Sequence, residues 1–142
     1  MQVNPSFFLI ITIPIYISYM LGIGIAMFKK RKKAVLKKEI SINYFKDYQE
    51  KVPVNLQVIK NHFENQFQIP IVYFVTVLAL IQFQAVDIFS VLLGYAFLIS
   101  RVLHSYIHLG KNNVLMRAKA YFVGILLILI MWSQLIYLNL FN

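Results

Sequence analysis

The side chains able to do chemistry fall in two short stripes. Gln57, Asn61 and Glu64 stand at i, i+4 and i+7, shortly before Pro70 and an apolar run. Arg101, His104, Ser105 and His108 stand at i, i+3, i+4 and i+7, and Arg117 opens the apolar segment that follows. On a helix each stripe occupies one face. Facing each other, the two would gather a carboxylate, an amide, two guanidinium groups and two imidazoles. That mixture suits a zwitterionic, peptide-like molecule, because Arg forks grip carboxylates and Glu accepts from an ammonium. An Arg beside a bound thiol also favours the thiolate through charge proximity. The chain contains no cysteine, so any nucleophilic sulfur must come from the bound molecule.

These residues interrupt helices that belong in a membrane. An ionisable group near the bilayer centre costs about 2.5 kcal/mol or more even on the lenient insertion scale, so such groups normally face a bundle interior or a wet cavity. A single Asn or Ser is more often interhelical glue, worth about 0.6 kcal/mol. Glue does not account for two Arg and a Glu at matched depth. His104 and His108 can pair structurally, or bind zinc or iron together with Glu64. The adjacent cations Arg101 and Arg117 argue against a metal, and none is expected. A proton or ion pathway needs polar residues through the full depth. The outer half of the third helix offers only Ser90, Tyr95 and Ser100.

Composition sets the frame for both stripes. The chain has 142 residues, 60% of them hydrophobic, where soluble domains run roughly 45–50%. A net charge of +9 could suggest nucleic acid. However, seven of the ten residues from Lys29 to Lys38 are basic and directly follow an apolar run. That placement reads as a juxtamembrane anchor attracting anionic headgroups, and no nucleic-acid partner is expected.

Four helices are predicted, at about 6–29, 54–83, 88–109 and 114–141, forming one all-α domain over residues 1–142. The first apolar stretch, Phe7 to Phe28, has 22 uncharged residues, or about 33 Å of helix. No basic residue precedes it and no cleavage pattern follows, so it reads as a span rather than a signal peptide. Pro14 should bend it, and Gly22 and Gly24 leave a smooth face for a neighbour. Residues 39–53 form a polar connection ending at Pro53, a helix start signal. Asp87 suits the cap of the third helix, and Gly110 its C-terminal stop. The first loop and the polar start of the second helix hold ten Lys/Arg, and Lys111, Arg117 and Lys119 cluster at the third loop. By the positive-inside rule both termini lie outside the cytoplasm, and both stripes fall at the cytoplasmic end.

Asn61-His62-Phe63-Glu64-Asn65 with Pro70, the run Arg101 to Gly110 containing R-V-x-H, and Arg117 at the head of the fourth helix together resemble the MAPEG family. These are the membrane-associated proteins in eicosanoid and glutathione metabolism. Length, helix count and orientation agree, so the resemblance covers essentially the whole chain. It implies a homotrimer of four-helix subunits with glutathione bound at subunit interfaces near the cytoplasmic side. By position, Asn61 and Glu64 would hold the peptide part and Arg101 would belong to the third-helix part of the site. Arg117 would be the catalytic residue that stabilises the thiolate. Ser105 and His108 match pocket-lining positions of the prostaglandin E synthase branch. The resemblance is nearest to a bacterial branch, which implies an inner-membrane location. Two positions depart from glutathione-using members: Gln57 stands in place of an Arg, and His108 in place of a Tyr. Lys60 can supply the lost charge but not the bidentate fork. Two readings follow: a glutathione-dependent transferase or peroxidase acting on lipophilic electrophiles, or a non-catalytic membrane binding or scaffold protein of the same fold.

Overall fold

The computed structural model describes residues 4–48 and 52–141; residues 49–51 of the polar connection and both chain ends lie outside the described residues. Within them the secondary structure is entirely helical: α1 (Pro5–Ile10), α2 (Thr12–Leu36), α3 (Tyr44–Asp47), α4 (Val54–Asn65), α5 (Ile69–Gln82), α6 (Ile88–Leu109) and α7 (Val114–Phe141). Four spans are long and apolar enough to cross a membrane: α1 with α2, α4 with α5, α6, and α7. The expectation of an all-helical, four-span chain therefore holds.

Two spans are interrupted, each for a covalent reason. Proline lacks an N–H and its ring crowds the carbonyl four residues back. Pro14 thus withdraws the partner of Ile10, and the first span breaks at Ile11. Pro70 does the same to Gln66, and the second span, expected to be continuous, is broken over Gln66–Gln68. The first span also runs further than expected. α2 continues to Leu36, so most of the basic run is helix rather than loop.

The helix ends follow the sequence in part. The Asp87 side chain accepts from the Ser90 amide at 2.8 Å while Ser90 Oγ accepts from the Asp87 amide at 2.9 Å, a reciprocal cap on α6. Gly110 does not take the left-handed conformation expected of a helix stop. Asn112 does, at φ 50°. Gly110 is needed for closeness instead, because a Cβ there would lie 2.7 Å from the Tyr106 carbonyl.

The main core lies toward the end of the bundle away from the basic run and joins α1, α5, α6 and α7. Tyr73 and Phe97 stack at its centre with ring centroids 4.0 Å apart. Tyr73 Oη meets Thr12 Oγ1 at 2.5 Å, and Trp132 Nε1 donates to Thr76 Oγ1 at 2.9 Å. Gly94 lets α1 approach α6: a Cβ there would lie 2.8 Å from Leu9 Cδ1 and 3.0 Å from Tyr73 Oη. Of the two glycines expected to face a neighbour, Gly24 packs under Phe63, whereas Gly22 has nothing within 4 Å.

Gly94→Val should therefore destabilise the detergent-solubilised protein by about 1–3 kcal/mol through overpacking. Gly22→Ala should leave its thermal midpoint unchanged or raise it, since Ala is the better helix former. Partial burial opposes ionisation of the Asp87 carboxyl, but hydrogen bonds from Ser90, Gln134 and the Phe89 amide prevail and hold it below the usual carboxylate value. A depressed folded-state pKa gives stability that is present above the unfolded value and lost as pH falls through the folded one. Acid destabilisation below about pH 4 should accordingly be shallower in Asp87→Asn, as thermal melts across pH would show.

Candidate functional site

A cavity of about 360 Å³ opens between α4, α6 and α7 at the end of the bundle that carries the basic run, with Asn61, Glu64, Gln68, His104, His108 and Arg117 in its wall. Each arrives there for a local reason. Asn61 and Glu64 lie on the exposed edge of α4 and form the rim. His104 and His108 are buried on the inner face of α6. Arg117 sits in the first turn of α7, where the tight connection after Leu109 returns the chain toward α6.

Three rungs lock α6 to α7 along this side of the cavity. Arg101 Nη2 donates to the carbonyls of Ala120 at 2.7 Å and Tyr121 at 3.2 Å. One turn on, His104 Nδ1 lies 3.2 Å from the Arg117 carbonyl. Arg117 Nη1 then donates to His108 Nε2 at 3.0 Å and to Asn112 Oδ1 at 2.9 Å. The other N–H groups of Arg117 have no partner among the described residues.

These contacts assign the tautomers of the neutral rings. A carbonyl only accepts, so the proton of His104 is on Nδ1 and Nε2 keeps its lone pair. Arg117 only donates, so His108 carries its proton on Nδ1. Both remaining nitrogens, His104 Nε2 and His108 Nδ1, are buried without a partner. Two imidazole rings from α6 thus line the cavity beside a guanidinium. A buried polar atom left unpaired costs about 1–3 kcal/mol, so these two nitrogens weaken the packing of the cluster by that order.

The stripe on α6 does not act as a unit. Ser105 Oγ donates to the Arg101 carbonyl at 2.9 Å and accepts from Tyr19 Oη, so it faces α2. Arg101, 4% exposed, lies between the rings of Phe97 and Tyr121 with α7 carbonyls as its acceptors. Neither side chain forms part of the cavity wall. Four residues on one helical face still span an arc, and this arc is divided between α2 and α7. Gln57 also lies off the wall, its amide donating to Asn61 Oδ1 at 2.8 Å. Lys60 turns the other way, 3.7 Å from Glu64 and over the Tyr48 ring.

The residue missing from the sequence reading is His62. It is fully buried, with ring centroids 6.0 Å from His104 and 5.0 Å from His108. Gln66, freed by the Pro70 break, holds it. Gln66 Oε1 accepts from Tyr16 Oη while Nε2 donates to the His62 carbonyl at 3.0 Å and lies 3.2 Å from His62 Nε2. A signal was present: Leu56, Ile59 and His62 form the inward stripe of α4, one position removed from the stripe that drew attention. Among the described residues no group of three His, Cys, Asp or Glu has the geometry to hold a metal ion.

The family model for the MAPEG family matches residues 9–137. This chain belongs to the MAPEG family. No curated protein and no solved structure matches it. Membership makes this an integral membrane protein of a family associated with glutathione and eicosanoid metabolism.

Within this MAPEG bundle the buried and the rim residues should respond differently to mutation. Arg101→Gln should cost about 1–3 kcal/mol of stability by leaving α7 carbonyls unpaired. Glu64→Gln, at an exposed ion pair, should stay within about 0.5 kcal/mol. Thermal unfolding of both in one detergent checks the contrast.

Proposed function

We propose that this chain is a glutathione-dependent transferase or peroxidase acting on lipophilic electrophiles that enter laterally from the bilayer. The observation that carries the proposal is the convergence of Asn61, Glu64, His104, His108 and Arg117 on one cavity. The residues present fit glutathione: an exposed carboxylate for its ammonium, an amide for its peptide groups, and a guanidinium with uncommitted N–H groups, beside two imidazole rings. When bound, glutathione supplies the sulfur nucleophile that this cysteine-free chain lacks. Asn61 and Glu64 hold the peptide part. His108 and Asn112 fix the Arg117 guanidinium, which stabilises the thiolate by charge proximity rather than by taking a proton. His104 and His108 shape the wall of the ligand site.

We further propose a homotrimer in a bacterial inner membrane, with both termini outside the cytoplasm and the site on the cytoplasmic side. Asn61 and Glu64 are exposed on a spanning helix, which supports a second copy closing the open edge of the cavity. The positive-inside rule supports the orientation.

A second reading, a non-catalytic binding or scaffold member, is favoured by one observation. Gln57 occupies a family Arg position, lies off the cavity wall and donates to Asn61.

Calorimetric titration of the detergent-solubilised protein with glutathione, with oxidised glutathione as control, separates the two readings. Glu64→Gln should chiefly weaken binding, since that contact is made in ground and transition states alike. Arg117→Ala should leave binding nearly intact but raise the pKa of the bound thiol, removing thiolate absorbance near neutral pH. The shift should correspond to about 1–3 kcal/mol in a dry site. Gln57→Arg should tighten binding. If wild type binds no glutathione at millimolar concentration and Gln57→Arg does not rescue it, the scaffold reading replaces the enzyme.

A further inference from the structure

A second cavity, remote from the polar one, lies where α2 outruns the membrane. Phe28 ends 22 uncharged residues, about 33 Å of helix and enough to cross a hydrocarbon core of ~30 Å. Beyond it α2 continues to Leu36, and the chain folds back through α3. Between them is a groove of about 440 Å³. Phe28, Val35, Leu36, Ile42, Phe45 and Tyr48 give it an apolar lining, and Arg31 and Lys32 are the charged members of its wall.

Three features of this groove belong together. Its apolar lining is open: Phe28, Leu36 and Ile42 are 67%, 74% and 70% exposed. The charged side chains described in its wall, Arg31 and Lys32, are both cations. Its guanidinium is held in place, with Arg31 Cζ 5.4 Å from the Phe45 ring centroid and 5.8 Å from that of Tyr48. A planar fork held over two aromatic rings is set to grip a phosphate in two-point fashion. The length of the apolar run before it puts the groove at headgroup depth.

We propose that this groove binds one anionic membrane lipid, its acyl chain along Phe28, Val35, Leu36 and Ile42 and its phosphate against Arg31 and Lys32. A run of cations alone draws anionic lipid diffusely. The apolar lining and the ring-held guanidinium make a discrete site that needs both halves of an amphiphile. The proposal is independent of the glutathione reading.

Native mass spectrometry of the detergent-solubilised protein, titrated with phosphatidylglycerol or with phosphatidylcholine of the same chains, tests it. Phosphatidylglycerol should bind about tenfold or more tightly than phosphatidylcholine. Arg31→Gln with Lys32→Gln should remove most of that preference. Lys29→Gln with Lys30→Gln, an equal change of charge outside the groove, should leave it within about twofold of wild type. Because the chain has no cysteine, Ile42→Cys creates a single thiol. Its maleimide labelling should be rapid in detergent, slowed by phosphatidylglycerol and indifferent to phosphatidylcholine. Absence of any lipid preference overturns the proposal. So does an equal loss in both double variants, which would mean diffuse attraction only. An Ile42→Cys thiol already protected in lipid-free detergent would mean that a second copy of the chain covers the groove, and likewise overturns it.

Discussion

A guanidinium inside a spanning helix must find its acceptors within the bundle, and much of this molecule follows from where Arg101 finds them. Its acceptors are the carbonyls of Ala120 and Tyr121, one turn before Gly124. A Cβ on Gly124 would overlap the guanidinium itself. The missing side chain on α7 is thus the space in which a charge on α6 is solvated by backbone. This rung fixes the register of α6 against α7, and the next rungs inherit it. His104 meets the Arg117 carbonyl, and His108 meets the Arg117 side chain. The position of the cavity residues is therefore set from below, by a contact outside the cavity.

The two prolines work in the same direction from the other side of the bundle. A helix that loses one internal hydrogen bond in a membrane has to satisfy the freed group elsewhere. The break before Pro70 lets Gln66 turn inward to Tyr16 and His62, which ties the first span to the second at the depth of the imidazole cluster. Tyr19 and Ser105 make a comparable tie between the first span and the third. The outer core is held by stacked and interlocked rings. The end nearer the basic run is held by directional polar contacts.

Charge is distributed with equal economy. Arg101 is buried and committed to backbone, Arg117 is half-buried with part of its fork uncommitted, and Arg31 lies against aromatic faces beyond the apolar run. The same side chain thus serves as a structural rung, as a candidate thiolate partner and as a candidate phosphate grip. Surroundings, not residue type, separate the three. The Glu64 carboxylate, exposed and paired with Lys60, is the softest element of the cavity rim.

What the sequence determined by itself was whatever hydrophobicity and local covalent chemistry dictate. Four apolar runs of about bilayer length had to be helices because lipid offers the backbone no other partner. Pro14 had to disturb the first span, Asp87 to cap the third, and Asn61, Glu64, His104, His108 and Arg117 to lie near one end. Tertiary structure alone decided how each face was divided. A helical stripe covers an arc wide enough to touch two neighbours, so periodicity could not reveal that Arg101 and Ser105 turn away from the cavity while His104 and His108 form its wall. For His62 the stripe Leu56, Ile59, His62 signalled burial and no more: a lone histidine one position from a conspicuous stripe gains meaning only when the break at Gln66–Gln68 and the packing of α6 bring three rings together. Gly124 shows the limit most plainly, since its missing side chain matters only because Arg101, 23 positions earlier in the chain, needs the room.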